Sequence, residues 1–292
     1  MTILQAHARA RQVLEASLAL PRDEAHARAR LMLDFVASQR YAHLMSPAQA
    51  LEPGQAEAFE RALERASRGE PLPYIVGEQE FLGRAFEVGT GTLIPRPETE
   101  YLVEAALKYL QAQGAAGERS IADLGTGSGA IAISLALEVP AARVLATDIS
   151  PQALEVASRN ARRHGVQKRV EFALSDASWL GPLQGQKFAA IVSNPPYIAA
   201  CDIKNLQIEV RAFEPRAALD GGADGLDVYR LLARGAGKYL QRGGLIALEV
   251  GAQQWSQVAS LFAQDGWRVE PPIHDFAGIE RVLLAVLGRG LR

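Results

Sequence analysis

Beyond residue 120, short apolar runs alternate with helix-length stretches, and this alternation leaves the chain few architectures to adopt. Residues 121–124, 144–147, 170–174, 188–192 and 245–250 have the length and apolar content of buried strands. Helices are expected over 129–137, 151–165, 226–239 and 255–263, with further strands near 267–269 and 281–286. Strands and helices that alternate in this way bury both faces of a sheet, so the expected class is α/β, with a doubly wound sheet.

The first 72 residues carry a different pattern. Alanine, leucine, arginine and glutamate dominate, all of them good helix formers. Pro21 should stop one helix and Asp23 should cap the next, which runs through Leu31 and Phe35. Pro53 opens another, whose Ala56, Phe59, Leu63 and Ala66 form an apolar stripe that Gly69 closes. Helices without intervening strands imply a small bundle. Residues 78–88, with Gly83 near the middle, read as a hairpin. The expected division is therefore a helical bundle over 1–72, a hairpin linker over 73–97 and an α/β domain over 98–292. His7, His26 and His43 match no metal-binding spacing and are expected to be structural, so no metal site is expected.

A net charge of -2 offers no basic bias for nucleic acid, and no direct nucleic-acid partner is expected. The single cysteine, Cys201, excludes an internal disulfide and fits a reducing cytoplasm. No apolar run approaches the roughly 18 residues of a membrane span. A soluble, cytoplasmic monomer is expected.

The stretch Asp123-Leu124-Gly125-Thr126-Gly127-Ser128-Gly129 follows a strand and opens a helix. Its glycines permit a tight turn and a close approach of backbone N–H groups to a ligand. The spacing differs from the dinucleotide fingerprint, because the residue after Gly129 is Ala130. Asp148, at the end of the second strand, suits the two hydroxyls of a ribose, and Asp176, past the third, suits the exocyclic amine of adenine. Asp123 either holds the loop or meets a ligand's ammonium group. The ordered series points to an adenosyl ligand on the carboxyl edge of the sheet.

The tetrapeptide Asn194-Pro195-Pro196-Tyr197 ends the fourth strand of this domain. Two prolines stiffen the backbone and remove two donors. The side-chain oxygen of Asn194 and the carbonyl of Pro195 can then accept both hydrogens of an –NH₂ group, and Tyr197 offers a flat face for stacking. Such a site would hold a planar nitrogen in line with a sulfonium methyl. A merely rigid strand-ending turn is the alternative. Ser128, Ser193 and Cys201 show no positioned base, His164 and His274 are expected at the surface, and Trp179, Trp255 and Trp267 as core or edge aromatics.

These residues resemble the Rossmann-like class I methyltransferases, and more closely the release factor glutamine methyltransferases of the PrmC/HemK family. The resemblance rests on Tyr74-Ile75-Val76-Gly77, Phe81 and Gly83, on Leu93-Ile94-Pro95-Arg96-Pro97-Glu98-Thr99-Glu100, and on the two motifs above. Glu214-Pro215, Asp220-Gly221-Gly222, Asp224-Gly225-Leu226 and Glu249-Val250-Gly251 extend it. It implies transfer of a methyl group from S-adenosyl-L-methionine to the side-chain amide of the glutamine in the Gly-Gly-Gln loop of class 1 peptide chain release factors. It also implies that the helical domain grips the release factor in translation termination. By position, Gly125, Thr126, Gly127, Ser128, Gly129, Asp148, Asp176, Ala177 and Asn194 carry over as cofactor contacts. Asn194, Pro195, Pro196 and Tyr197 carry over as the glutamine site. Ala177 departs from the bulky aromatic common there, which leaves Trp179 or another side chain to pack the adenine. Arg96, Glu98 and Glu214 have no role derivable from sequence, ion pairing and substrate contact being equally open. A ribosomal-protein glutamine methyltransferase shares the tetrapeptide, as do adenine and guanine methyltransferases.

Overall fold

The computed structural model of the protein describes residues 1–113 and 119–287. They divide into two compact units. The first comprises Met1–Glu78 with a returning segment, Gln207–Phe213, and the second comprises Gln79–Leu206 with Glu214–Arg292.

Helices α1 (Ile3–Leu18), α2 (Arg22–Val36), α3 (Ala42–Met45), α4 (Pro53–Ser67) and α5 (Leu72–Val76) build the first unit. Thr2 and Gln5 cap α1 reciprocally, as Glu52 and Gln55 cap α4. Leu14, Met32, Leu33, Phe59 and Leu63 meet in its core. Pro21, not Asp23, occupies the N-cap position of α2, and Asp23 lies in the first turn, where the positive end of the helix dipole favours a carboxylate. The returning segment is held by Glu209, which takes Arg28 with both carboxylate oxygens. Its Ile208 lies so close to Gly69 that a Cβ there would stand 2.8 Å from Cγ2. One outcome is absent from the sequence pattern: packing of α1, α2 and α3 brings His7, His26 and His43 together.

Hairpin β1 (Glu78–Phe81) and β2 (Arg84–Glu87) turns through Leu82 and Gly83, both at positive φ, the backbone twist a two-residue hairpin favours. Then follow α6 (Pro97–Ala112), β3 (Arg119–Leu124), α7 (Ala130–Glu138), β4 (Ala142–Asp148), α8 (Pro151–Arg163), β5 (Val170–Leu174) and β6 (Phe188–Ser193). The chain continues through α9 (Ile208–Phe213, the helix of the returning segment), α10 (Asp227–Gly235), β7 (Leu240–Glu249), α11 (Trp255–Gln264), β8 (Trp267–Val269), β9 (Ile273–His274) and β10 (Glu280–Leu287). The helix expected over 226–239 ends at Gly235 and finishes as a 3₁₀ turn.

The sheet order is β5-β4-β3-β6-β7-β10-β8, with β9 also on β10. From β5 to β7 neighbours run parallel, whereas β10 is antiparallel to β7, β8 and β9. Apolar layers cover both faces, one including Leu102, Leu110 and Ile133, the other Tyr229, Leu232 and Phe262. His164, expected at the surface, is half-buried: its Nε2 lies 3.0 Å from the Ala85 carbonyl oxygen and its ring against Phe86.

The winding reverses direction at β3, whose neighbours are β4 on one side and β6 on the other. Parallel register pairs Leu124 with both Thr147 and Ser193, Asp148 with Leu174, and Ser193 with Leu248. The glycine loop, Asp148, Asn194 and Glu249 therefore leave the sheet side by side on its carboxyl edge, where open α/β sheets bind ligands.

Candidate active site

Gly125, Gly127 and Gly129 all take positive φ, at 73°, 56° and 83°. A side chain would be strained at each of them. Asp123, fully buried, anchors the loop from beneath: its Oδ2 accepts the Thr126 hydroxyl at 2.6 Å and the Ala132 N–H at 3.2 Å. Its Oδ1 is buried without a partner, and burial pushes the carboxyl pKa up to about 7. Asp148 ties the loop to β4, accepting the Gly127 N–H at 2.8 Å on Oδ2 and the Ser150 N–H at 2.9 Å on Oδ1. Burial raises its pKa as well. Both acids thus shape the loop, the first of the two roles left open for Asp123.

Asp176 and Ala177 lie on an exposed turn. Asp176 accepts the Ser178 N–H at 2.8 Å, and hydrogen bonds from Ser178 lower its pKa. Trp179, at φ 60°, lays its ring against the glycine loop, so that a Cβ on Gly125 would stand 3.2 Å from Cζ3. The aromatic that the altered position after Asp176 left to find is therefore close to the loop.

At the end of β6, the Ser193 hydroxyl donates to the Leu124 carbonyl at 2.6 Å and locks the two strand ends together. Next, the Asn194 Nδ2 donates to Thr99 Oγ1 at 3.2 Å, and the Thr99 hydroxyl donates to Glu249 Oε2 at 2.6 Å. Thr99 and Glu249 are buried, and burial pushes the Glu249 pKa up to about 7. While Glu249 is ionised it takes the Thr99 proton, and the Thr99 oxygen is left to accept from the –NH₂ side of Asn194. Oδ1 is left to accept from elsewhere.

Pro195 and Pro196 are buried and Tyr197 half-buried, its hydroxyl pKa raised by burial. The 220–226 loop closes around this turn. Gly221 donates its N–H to the Ile198 carbonyl at 2.9 Å, and a Cβ on it would stand 2.7 Å from the Pro196 carbonyl oxygen. Gly225, at φ 76°, presses as closely on the carbonyl of Tyr197. Gln254 completes the enclosure by donating Nε2 to the same carbonyl at 2.9 Å.

Arg96 forms an ion pair with the buried Glu214, which also accepts the Ile94 N–H at 3.4 Å. Bracing of the loop ahead of α6 thus accounts for these two residues. Sequence reasoning missed the relay through Thr99 and Glu249, and also Asn160, which is fully buried and donates to the carbonyls of Glu87 and Ser128. Thr99 and Glu249 stand 150 positions apart, and no spacing signal can join such residues. A concavity lined by Tyr109, Lys187, Arg242 and Trp267 among others contains none of the site residues. It lies where β6 and β7 begin, at the edge opposite to the one that binds ligands in such sheets.

Two family models match the chain, "Methyltransferase small domain" over residues 100–214 and "PrmC N-terminal domain" over 5–77. A release factor glutamine methyltransferase of Moorella thermoacetica is 48% identical over 238 residues, covering 81% of this chain and 82% of the relative. That of Nitratidesulfovibrio vulgaris is 39% identical over 279 residues, covering 94% and 92%. Among solved structures, a methyltransferase from Pyrococcus furiosus aligns with TM-score 0.52 and 19% identity over 71% of this chain and 91% of its own, a likeness of fold alone.

Proposed function

The chain belongs to the family of release factor glutamine methyltransferases, and from that premise we propose that the 194–197 turn methylates the side-chain amide nitrogen of the glutamine in the Gly-Gly-Gln loop of class 1 peptide chain release factors. The observation that carries this reading is the fixed amide of Asn194, whose –NH₂ faces Thr99 and whose Oδ1 is left to accept. An acceptor for one N–H of a substrate amide is thereby set in advance, and the Pro195 carbonyl suits the other. Holding both hydrogens orients the nitrogen lone pair and favours its change from planar toward tetrahedral as the new bond forms. Tyr197 stacks against the amide plane.

S-adenosyl-L-methionine, the cofactor of this family's reaction, supplies a methyl group on a sulfonium sulfur when bound. The residues present fit it. Asp123 keeps one buried carboxylate oxygen without a partner, a match for an ammonium group, and the positive-φ glycines leave the loop without side chains at 125, 127 and 129. Asp148 suits the ribose hydroxyls, Gly125, Thr126, Gly127, Ser128 and Gly129 the adjoining chain of the ligand, and Asp176 with Ala177 the adenine edge.

The helical unit is the proposed grip on the release factor. Leu31 and Phe35, one turn apart on α2, and Leu44 and Met45 on α3 are exposed apolar side chains suited to a protein partner. No helix among the described residues is long and apolar enough to cross a membrane. The net charge of -2 disfavours a phosphate backbone as partner, and the exposed free Cys201 fits a reducing cytoplasm.

The test is methyl transfer from labelled cofactor to release factor, ribosomal protein and DNA in separate reactions, with the label located by mass spectrometry. Label on the glutamine of the Gly-Gly-Gln loop is expected. Label on DNA, or on ribosomal protein alone, would overturn the reading.

A further inference from the structure

The helical unit buries a polar cluster that plays no part in methyl transfer. We propose that His7 on α1, His26 on α2 and His43 on α3 form a binding site for one divalent transition-metal ion of the zinc class, which ties the three helices together. Their ligating nitrogens all lie within 4.8 Å of one another. His7 and His43 are each only 6% exposed, and the Nε2 of His7 and the Nδ1 of His43 are buried with no hydrogen-bond partner. Buried imidazole nitrogens ordinarily have partners, so two bare ones facing a third histidine are the mark of a site that takes a ligand.

Asp34 does not supply a fourth ligand, because its Oδ1 accepts the Ala42 N–H at 3.0 Å and its Oδ2 lies 3.7 Å from Arg30. Three imidazoles and a water complete a tetrahedral set. Imidazole donors select zinc, copper or nickel over magnesium or calcium.

Binding requires a defined adjustment. The rings of His7 and His43 stack 4.7 Å apart at 11°, and donors in nearly parallel planes cannot both aim at one ion. His26 stands at 76° and 81° to them, so its plane already crosses both. One stacked ring must turn about its χ2, and we assign this to His43, which sits on a helix of only four residues. With metal–nitrogen bonds of about 2.0–2.1 Å, the donors must each move inward by about 1 Å. His26 is exposed and gives the ion its route from solvent.

Untagged full-length chain, stripped with chelator and dialysed, should take up one Zn²⁺ per chain by metal analysis, raise its melting temperature with Zn²⁺ but not with Mg²⁺, and show tetrahedral d–d absorption with Co²⁺. The exposed position makes His26→Ala the variant that leaves folding intact, and it should weaken Zn²⁺ binding at least about tenfold. His7→Leu should abolish stoichiometric uptake. A chain with His164, His274 and Cys201 all replaced by alanine should retain it. No stoichiometric uptake, unchanged affinity in His26→Ala, or loss of the site in the triple variant would each overturn the proposal.

Discussion

At the end of β6, the half-buried Asn194 is joined donor to acceptor with the buried Thr99 and Glu249; among α1, α2 and α3, His7 and His43 are buried with Nε2 and Nδ1 bare. The first cluster is linked internally and so has a fixed geometry with Asn194 Oδ1 left to accept, which is what a site that orients a reacting amide requires. The second is incomplete, and its rings stack face to face instead of sharing protons. The pKa shifts point in opposite directions too. Burial drives Glu249 and Asp123 up to about 7, so the folded state favours their protonated forms, whereas His7 and His43 are driven down and resist protonation. Burial alone therefore says little about a polar group's role; what its remaining atoms meet decides it.

The comparison can be broken at several points. Asn194→Ala should lower kcat by about 10²–10³-fold while cofactor affinity, read by calorimetry, stays near wild type; normal turnover would remove Asn194 from the amide site. Thr99→Val keeps the shape but leaves Asn194 and Glu249 without their shared partner, and should lower kcat by about 10–100-fold. Thr99→Ser should restore most of that loss, and a failure of serine to rescue would mean that packing, not the relay, matters at Thr99.

Acidification tests the opposed shifts. Raised carboxyls contribute stability that is full below their unfolded values and is lost as pH rises through about 7. Lowered histidines contribute stability that is full above 6.5 and is lost as pH falls below it. From pH 7.5 to 5.5, metal-free chain should therefore show easier opening of α1 and α3, which carry His7 and His43, and firmer protection of β3 and β7. Hydrogen exchange corrected for intrinsic rates should register these changes with opposite signs in the two units. Parallel movement of both units would break the contrast. The smallest effect is expected from His43→Leu in metal-free chain. Removing an unpartnered nitrogen in favour of an apolar group should change stability by no more than about 0.5 kcal/mol, and a large loss in chemical denaturation would show that the histidine stack stabilises the bundle by itself.

Much of the fold is legible without coordinates. Apolar runs of strand length, helix-forming stretches and proline or glycine stops place most elements within a few residues, because each depends on local propensity and periodicity. The hairpin turn at Gly83 and the strand-to-helix loop after Asp123 are equally local. Asp23 misleads locally, because the helix starts directly after Pro21. His164 looks like a surface residue only while the rest of the fold is out of view, and the return of 207–213 to the helical unit depends on Arg28 meeting Glu209, 181 positions away.

The sequence by itself determined the alternation that winds the sheet, the glycine loop, the stiff Asn194-Pro195-Pro196-Tyr197 turn and the helical first unit, since backbone stereochemistry and hydrophobic period act within a few residues. Tertiary structure alone decided which way the Asn194 amide faces, through Thr99 and Glu249, how closely Gly221 and Gly225 press on the turn, and that three histidines without a motif share one pocket. Those outcomes rest on hydrogen bonds and packing between distant positions, and such contacts exist only once the strands are in register and the helices are packed.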